Sequence, residues 1–234
     1  MKKIILVLLL IISGCATKQN TSTTNKGEVI ISESEQLLSK GMDFLSRNNT
    51  KKAIKQFDKV IESCEGQYNN KKQKFYAVRS PIETIYYMIK AASENNSAVA
   101  VAPTCAEALY LKGYSLLDLS KVESAEGYLL RAVDMSPVNS MYLSELAHIY
   151  QIKKDWNKSL EVYRKSEQNA ETYSPQEVKL KELSRAKRGV GFVLIELGRL
   201  DEAEAKFREC LDINKNDIKA LKEIRYIEEI RKKQ

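Results

Sequence analysis

The sequence predicts an all-α protein built from consecutive pairs of helices. Three observations support this prediction. Apolar residues recur at helical spacing over nearly all of the chain after about residue 34. The four prolines all stand where a helix would begin or end. Alternating apolar and polar runs separated by turn glycines, which are typical of β-hairpins, are absent from the sequence.

The N-terminus predicts export. Ile4 to Ile12 form an unbroken apolar run behind two lysines, and nine residues are too few to span a bilayer, which needs about 20. The run ends in Ile12-Ser13-Gly14-Cys15, which resembles the lipobox of bacterial lipoproteins. This resemblance implies that residues 1–14 are a signal peptide and that Cys15 becomes the lipidated N-terminus.

Residues 15–33 are predicted to be a flexible tether, because they are rich in Ser, Thr, Asn and Lys and offer little to bury. About 18 residues of such coil have a mean reach of roughly 20–25 Å. The lipoprotein resemblance therefore implies a folded part held close to a membrane in the cell envelope. Ala16, rather than Asp, follows the cysteine, which implies the outer membrane facing the periplasm if the organism is Gram-negative.

A 34-residue pattern recurs in the rest of the chain. With Ala106 as position 1, positions 4, 8, 11, 20, 24, 27 and 32 hold Leu109, Gly113, Leu116, Ala125, Leu129, Ala132 and Pro137. Similar residues occupy the same positions in three further units, which begin at Ser34, Ser140 and Ser184. Lys187 is the exception, at position 4 of the last unit. The pattern resembles the tetratricopeptide repeat. The resemblance implies an α-solenoid, a right-handed superhelix in which small residues at positions 8 and 20 let two helices pack closely.

The repeat divides the chain into predicted segments. Four of them are repeat units, at residues 34–67, 106–139, 140–173 and 174–217, the last with an extended first helix. Residues 218–234 are predicted to be a capping helix. Residues 68–105 match poorly and are interpreted as a degenerate repeat or helical insertion. A helix is expected there from Pro81 to about Glu94. A second, short helix is expected near Asn70–Val78, because a single added helix would reverse the direction in which the following helix pairs run.

Few residues could carry chemistry. The chain has one histidine, His148, and no Cys-x-x-Cys or Gly-rich phosphate loop. We therefore expect no metal, no cofactor and no enzymatic activity. The net charge is +7, or +5 once Lys2 and Lys3 are removed (36 − 31), and outside the cytoplasm a nucleic-acid partner is not expected.

The cysteines suggest one disulfide. If Cys15 is acylated, three cysteines remain, and an exported compartment permits one bridge. Cys64 and Cys105 flank the irregular segment, so a bond between them is the hypothesis. Cys210 stands at position 27 and is predicted to be a buried thiol.

The tetratricopeptide resemblance also implies a binding groove lined by positions 2, 5, 9 and 12 of the first helices. The groove residues predicted in this way are Tyr110, Tyr114, Leu117, Ser144, His148, Gln151, Arg185 and Arg188. Tyrosines beside arginines would suit an extended peptide of acidic or carboxylate character. The competing interpretation is that some of these side chains only pack against the neighbouring helix.

The function expected from these features is that of a non-catalytic, membrane-anchored scaffold for a protein or peptide client in the cell envelope. A pilotin-like assembly factor for a pilus, secretion or cell-wall complex is the more specific alternative. A small-ligand receptor or enzyme using residues 67–102 is the third. An enclosed polar pocket around Tyr76, Arg79 and Glu83 would favour the third interpretation, and an open groove would favour the scaffold.

Overall fold

The computed structural model describes residues 32–68 and 72–233. The predicted signal peptide, Cys15 and the tether up to residue 31 lie outside the described residues. Of the described chain, the elements are α1 (Glu33–Ser46), α2 (Thr50–Gln67), β1 (Gln73–Ala77), α3 (Pro81–Ser93), β2 (Ser97–Val101), α4 (Thr104–Asp118), α5 (Val122–Met135), α6 (Ser140–Ile152), α7 (Trp156–Tyr173), α8 (Gln176–Glu196), α9 (Leu200–Ile213) and α10 (Ile218–Lys233). The predicted all-α solenoid is confirmed, with one short strand pair added.

The array consists of four helical hairpins: α1–α2, α4–α5, α6–α7 and α8–α9. The second helix of each hairpin packs on the first helix of the next, and α10 packs on α9 and α8. Position 15, just after each first helix, adopts a left-handed backbone conformation in all four hairpins. These residues are Asn48, Ser120, Lys154 and Gly198, with φ of 56°, 57°, 58° and 73°. We call the side of the array that carries these turns the hairpin edge.

Position 8 allows each hairpin to close. A Cβ atom built on Gly41 would lie 2.3 Å from the ring of Phe57, which occupies position 24 of the same unit. The same holds for Gly113, where a Cβ would be 2.8 Å from Leu129. Glycine at position 8 therefore gives the apolar residue at position 24 its space in the core.

We expect Gly41→Ala to lower the free energy of unfolding by about 1–3 kcal/mol, because the added methyl group overpacks the contact with Phe57. Gly127→Ala is the matched control. Gly127 lies in α5 with no atom within 4 Å of a built Cβ, so alanine should stabilise that helix by about 0.5–1 kcal/mol. Urea unfolding followed by circular dichroism measures both changes. A stabilised Gly41→Ala chain would show that the ring of Phe57 moves aside without cost.

Lys187 occupies position 4, where the other units have leucine. Its Nζ lies 2.8 Å from Oε1 of Glu167 on α7 and also bonds Glu209 on α9. Burial alone would lower the pKa of Lys187, but the hydrogen bonds to both carboxylates raise it. The exception to the repeat is thus an ion pair that joins three helices.

The segment between α2 and α4 differs from its predicted form. The short helix expected near Asn70–Val78 is wrong, because residues 73–77 form β1. β1 pairs in parallel with β2, Gln73 opposite Ser97 and Ala77 opposite Val101, and α3 crosses between the strands. We call residues 72–101 the insertion. Backbone groups of β1 are satisfied by a strand more than 20 residues away, so local helical spacing gave no indication of this pairing.

The insertion lies on the side of the array where second helices end and first helices begin. The Ser136 hydroxyl, after α5, donates to the carbonyl of Ala77 at 2.7 Å. The ring of Tyr86 in α3 lies 4.8 Å from that of Tyr173 at the end of α7. We call this side the insertion edge, and it is opposite the hairpin edge.

A disulfide closes the ends of the insertion. Cys64, near the end of α2, is bonded to Cys105 at the start of α4, with Cα atoms 6.0 Å apart. The first unit therefore packs directly on the second, α2 against α4, and the insertion projects from the edge instead of separating them. Cys210 is a buried free cysteine, and burial raises the pKa of its thiol to about 11.

Candidate binding groove

Among the four positions predicted to line the groove, position 9 alone is exposed on every first helix. Position 9 of the four units and of α10, which starts in phase at residue 218, is occupied by Met42, Tyr114, His148, Phe192 and Tyr226. Met42, Tyr114, Phe192 and Tyr226 are 41%, 39%, 38% and 52% exposed, and the His148 side chain is 48% exposed. We call these five residues the position-9 row. It is mainly aromatic and apolar, and it follows the face formed by the first helices.

Position 5 does not contribute as predicted. Ser144 is buried, and its hydroxyl lies 2.8 Å from that of Ser166 on α7, so its assignment to the groove is wrong. Tyr110 is also buried, because its ring stacks on Tyr142 of the next first helix with centroids 4.9 Å apart. Burial raises the pKa of Tyr110, and the nearby carboxylate of Glu145 raises it further. Position 5 therefore joins the helices and offers little surface to a client.

Position 12 is half-buried throughout. Leu117 packs against the core, so only part of its side chain faces solvent. Gln151 accepts a hydrogen bond from the Tyr163 hydroxyl at 3.1 Å. These two predicted residues lie at the border between the core and the first-helix face.

Both arginines that were predicted to line the groove form ion pairs within the chain. Arg185 pairs with the buried carboxylate of Glu145, which also lies 3.7 Å from His148 Nδ1. Arg188 pairs with Asp217, the residue just before α10. Burial opposes the charge of Arg185, but Glu145 outweighs it and raises the pKa. The groove is therefore close to charge balance here, and an acidic client would have to compete with internal carboxylates.

A cavity of about 190 Å³ lies at the C-terminal end of the groove. α6, α8 and α10 all contribute to it, together with rings from α7 and α9. Its lining includes Gln151, Tyr163, Arg185, Arg188, Phe192 and Glu223. Three of the predicted groove residues are thus brought together beside one member of the position-9 row.

Glu107, at position 2 of α4, lies half-buried on the same face. Burial raises its pKa, and Arg79 opposes this shift. Because the pKa of Glu107 is higher in the folded chain than in the unfolded chain, ionising this carboxyl destabilises the fold. Its contribution to the free energy of unfolding is therefore fully present below the unfolded pKa and is lost as pH rises through the folded pKa.

We expect Glu107→Gln to raise the melting temperature at pH 7, and the gain to shrink near pH 4, where the wild-type carboxyl is mostly protonated in the folded and the unfolded chain. Thermal melts between these two pH values measure the difference. Glu62→Gln, on the exposed side of α2, is the control and should change little. A gain as large at pH 4 as at pH 7 would show that the charge of Glu107 is not its cause.

Of the three residues that suggested an enclosed polar pocket, Arg79 and Glu83 bind each other and Tyr76 packs elsewhere. Arg79 Nη1 lies 2.6 Å from Oε1 of Glu182 on α8, and its Nε and Nη2 each lie 3.0 Å from Oε1 of Glu83. Tyr76 is buried and stacks on Tyr87 at 4.7 Å. The Ser174 hydroxyl, just before α8, also donates a hydrogen bond to Glu182. The Arg79 cluster, defined as Arg79, Glu83 and Glu182, fastens the insertion to α8.

A larger cavity, of about 740 Å³, lies between the insertion, α2 and α5. Ile61, Leu109, Met135 and the Cys64–Cys105 bond give it an apolar lining. The salt bridge between Arg131 and Glu65, at 2.6 Å, and that between Lys74 and Asp134, at 3.1 Å, lie at its border.

Two features are absent from residues 32–68 and 72–233. In this part of the chain, no group of three or more His, Cys, Asp or Glu side chains could hold a metal ion. None of the helices in the same ranges combines the length and the apolar character needed to cross a bilayer.

Family comparisons agree with the repeat pattern. A tetratricopeptide-repeat profile matches residues 90–171, and a second matches residues 190–217. Together with the fold, these matches identify the chain as a tetratricopeptide-repeat protein. This is a fold that supports protein-interaction scaffolds. No curated protein sequence matches the chain.

Solved structures share the fold at low sequence identity. The structure of Pseudomonas aeruginosa pilF is 14% identical, with a TM-score of 0.59, over 86% of this chain and 69% of that one. A tetratricopeptide-repeat protein from Parabacteroides merdae is 16% identical, with a TM-score of 0.54, over 86% and 60%. MamA from Desulfovibrio magneticus RS-1 is 14% identical, with a TM-score of 0.53, over 86% and 85%. These likenesses concern the fold.

Proposed function

We propose that this chain is a non-catalytic scaffold, anchored to a membrane of the bacterial cell envelope, that binds a protein or peptide client along the position-9 row. The observation that carries the proposal is the row itself, because position 9 is exposed on every first helix and holds apolar or aromatic side chains in four of five cases. Aromatic residues contribute strongly to protein interfaces. Internal pairing of Arg185 and Arg188 favours a client that presents apolar side chains over an acidic one.

The membrane anchor is proposed from the sequence. The lipobox-like end of the apolar run supports acylation at Cys15, and Ala16 supports an outer-membrane position facing the periplasm in a Gram-negative organism. The lipid would confine the array to a surface, and the groove would raise the local concentration of its client there. A pilotin-like role in assembling a pilus, secretion or cell-wall complex is the more specific form of this proposal.

The anchor is tested by growing cells with an alkyne analogue of palmitate. We expect the wild-type chain to be labelled and to partition into detergent. Cys15→Ser should abolish both properties. Labelling that survives in Cys15→Ser would overturn the assignment of the lipid to this cysteine.

The client is tested by crosslinking in native membranes and mass spectrometry. Tyr114→Ala/Phe192→Ala removes two exposed rings of the row, and Leu180→Ala, 60% exposed on α8 and outside the row, is the matched control. We expect one partner to be lost from the double variant only, with melting temperatures unchanged. This partner would also identify the complex that the chain serves. A partner retained by the double variant would exclude the row as the binding site.

A further inference from the structure

One face of α3 is apolar and exposed. Ile82, Ile85 and Ile89 are 46%, 60% and 65% exposed, and their spacing of three and four residues places them on one side of the helix. Tyr87 and Ala91 lie on the opposite side and are buried against the rest of the insertion. We call the three isoleucines the isoleucine face.

The isoleucine face carries no charge. Of the charged residues of α3, Glu83 points inward to Arg79, and Lys90 pairs with Glu94 beyond the helix end. Single exposed apolar residues are common on protein surfaces, but a continuous apolar helix face is typical of an interaction site. An exposed apolar helix face of this kind can insert into the interfacial region of a bilayer.

The N-terminal segment joins the fold on the same edge as this face. α1 and α2 are antiparallel, because Gly41 packs against Phe57, eight residues on either side of Asn49 in the turn. Ser32, at the start of α1, therefore lies level with the end of α2, where the insertion begins. The chain that leads to Cys15 thus starts from the insertion edge.

We infer that the isoleucine face docks onto the lipid surface to which Cys15 is anchored, so that the insertion edge faces the membrane. The inference rests on the lipid anchor of the proposed function. If residues 15–31 are the coil that their composition predicts, these roughly 17 residues would have a mean reach of about 20–25 Å. A coil of that length would allow the isoleucine face to reach the bilayer, and a weak apolar contact suffices once the face and the lipid are linked. Docking leaves the first-helix face free for a client.

The test measures the depth of a reporter in the membrane. The full lipidated chain with Trp156→Phe, which removes the single tryptophan, receives Ile85→Trp on the isoleucine face. It is reconstituted in vesicles of phosphatidylethanolamine and phosphatidylglycerol that contain brominated lipid. The control reporter is Ile152→Trp, 44% exposed at the end of α6, on the hairpin edge.

We expect bromine near the head groups to quench the Ile85→Trp fluorescence at least two-fold and to leave the Ile152→Trp signal unchanged. Ile82→Trp combined with Ile85→Glu/Ile89→Glu should fall to the control level. A chain that floats with the vesicles but shows no quenching at residue 85 overturns the docking and keeps the anchor. A chain that does not float removes the anchor, and the inference with it. A blue shift in native membranes without quenching in pure lipid would assign the face to a protein partner instead.

Discussion

Replacing Arg79 with methionine is expected to lower the free energy of unfolding by about 3–5 kcal/mol. The Glu83 side chain is fully buried and that of Glu182 is 6% exposed, and Arg79 is the cation that pairs with both. Without it, two carboxylates remain inside the interface between the insertion and α8, where water cannot replace the lost hydrogen bonds. Urea unfolding followed by circular dichroism measures the loss.

The matched control is Arg131→Met. Arg131 also pairs with a glutamate, but its side chain is 45% exposed and that of Glu65 is 59% exposed, so this change should cost less than about 1 kcal/mol. Converting Arg79, Glu83 and Glu182 together to methionine should recover most of the stability, because no unpaired charge is then buried. A cost for Arg79→Met as small as that for Arg131→Met would show that the two carboxylates become hydrated.

Loss of the Cys64–Cys105 bond is expected to cost about 4 kcal/mol, the chain-entropy value for a closed loop of this length. The two cysteines are separated by 41 residues. Cys64→Ala/Cys105→Ala should therefore melt well below the wild type. Reductant should lower the wild-type melting temperature to the same value and leave the double variant unchanged.

Alkylation without reductant gives an independent readout of the same bond. In the folded wild-type chain, Cys64 and Cys105 should stay unlabelled. Cys210 should react only on unfolding, because it is buried and the pKa of its thiol is raised to about 11. Labelling of both Cys64 and Cys105 in the native chain would contradict the bond.

The repeat could be predicted because its slots follow from local packing. Gly41 and Phe57 lie within one hairpin, and the pattern that places them is visible in the sequence over 34 residues. The insertion could not be predicted in this way. The strand that contains Lys74-Phe75-Tyr76 depends on a partner strand beyond α3. The only sequence features that indicated strands were the aromatic residues of β1 and the β-branched residues of β2.

The groove could be predicted in outline. The repeat positions identify the first helices and position 9. They do not show which groove side chains are exposed to solvent, because that depends on neighbours in other units. Tyr110 stacks on the ring of Tyr142, one unit further along, and Arg185 finds its carboxylate on α6. Met42 and Tyr226 could have been found by extending the same count to the first unit and to residue 218.

The covalent link between α2 and α4 also sets the route by which the chain transmits mechanical force. A pull applied between Ser32 and a client on the later repeats enters α2 and leaves through α4. Because Cys64 is bonded to Cys105, the tension crosses at that bond and bypasses residues 65–104. The two strands and α3, which lie within residues 65–104, are therefore outside the covalent path of the force. Under reducing conditions the covalent path of the same pull would run through the insertion.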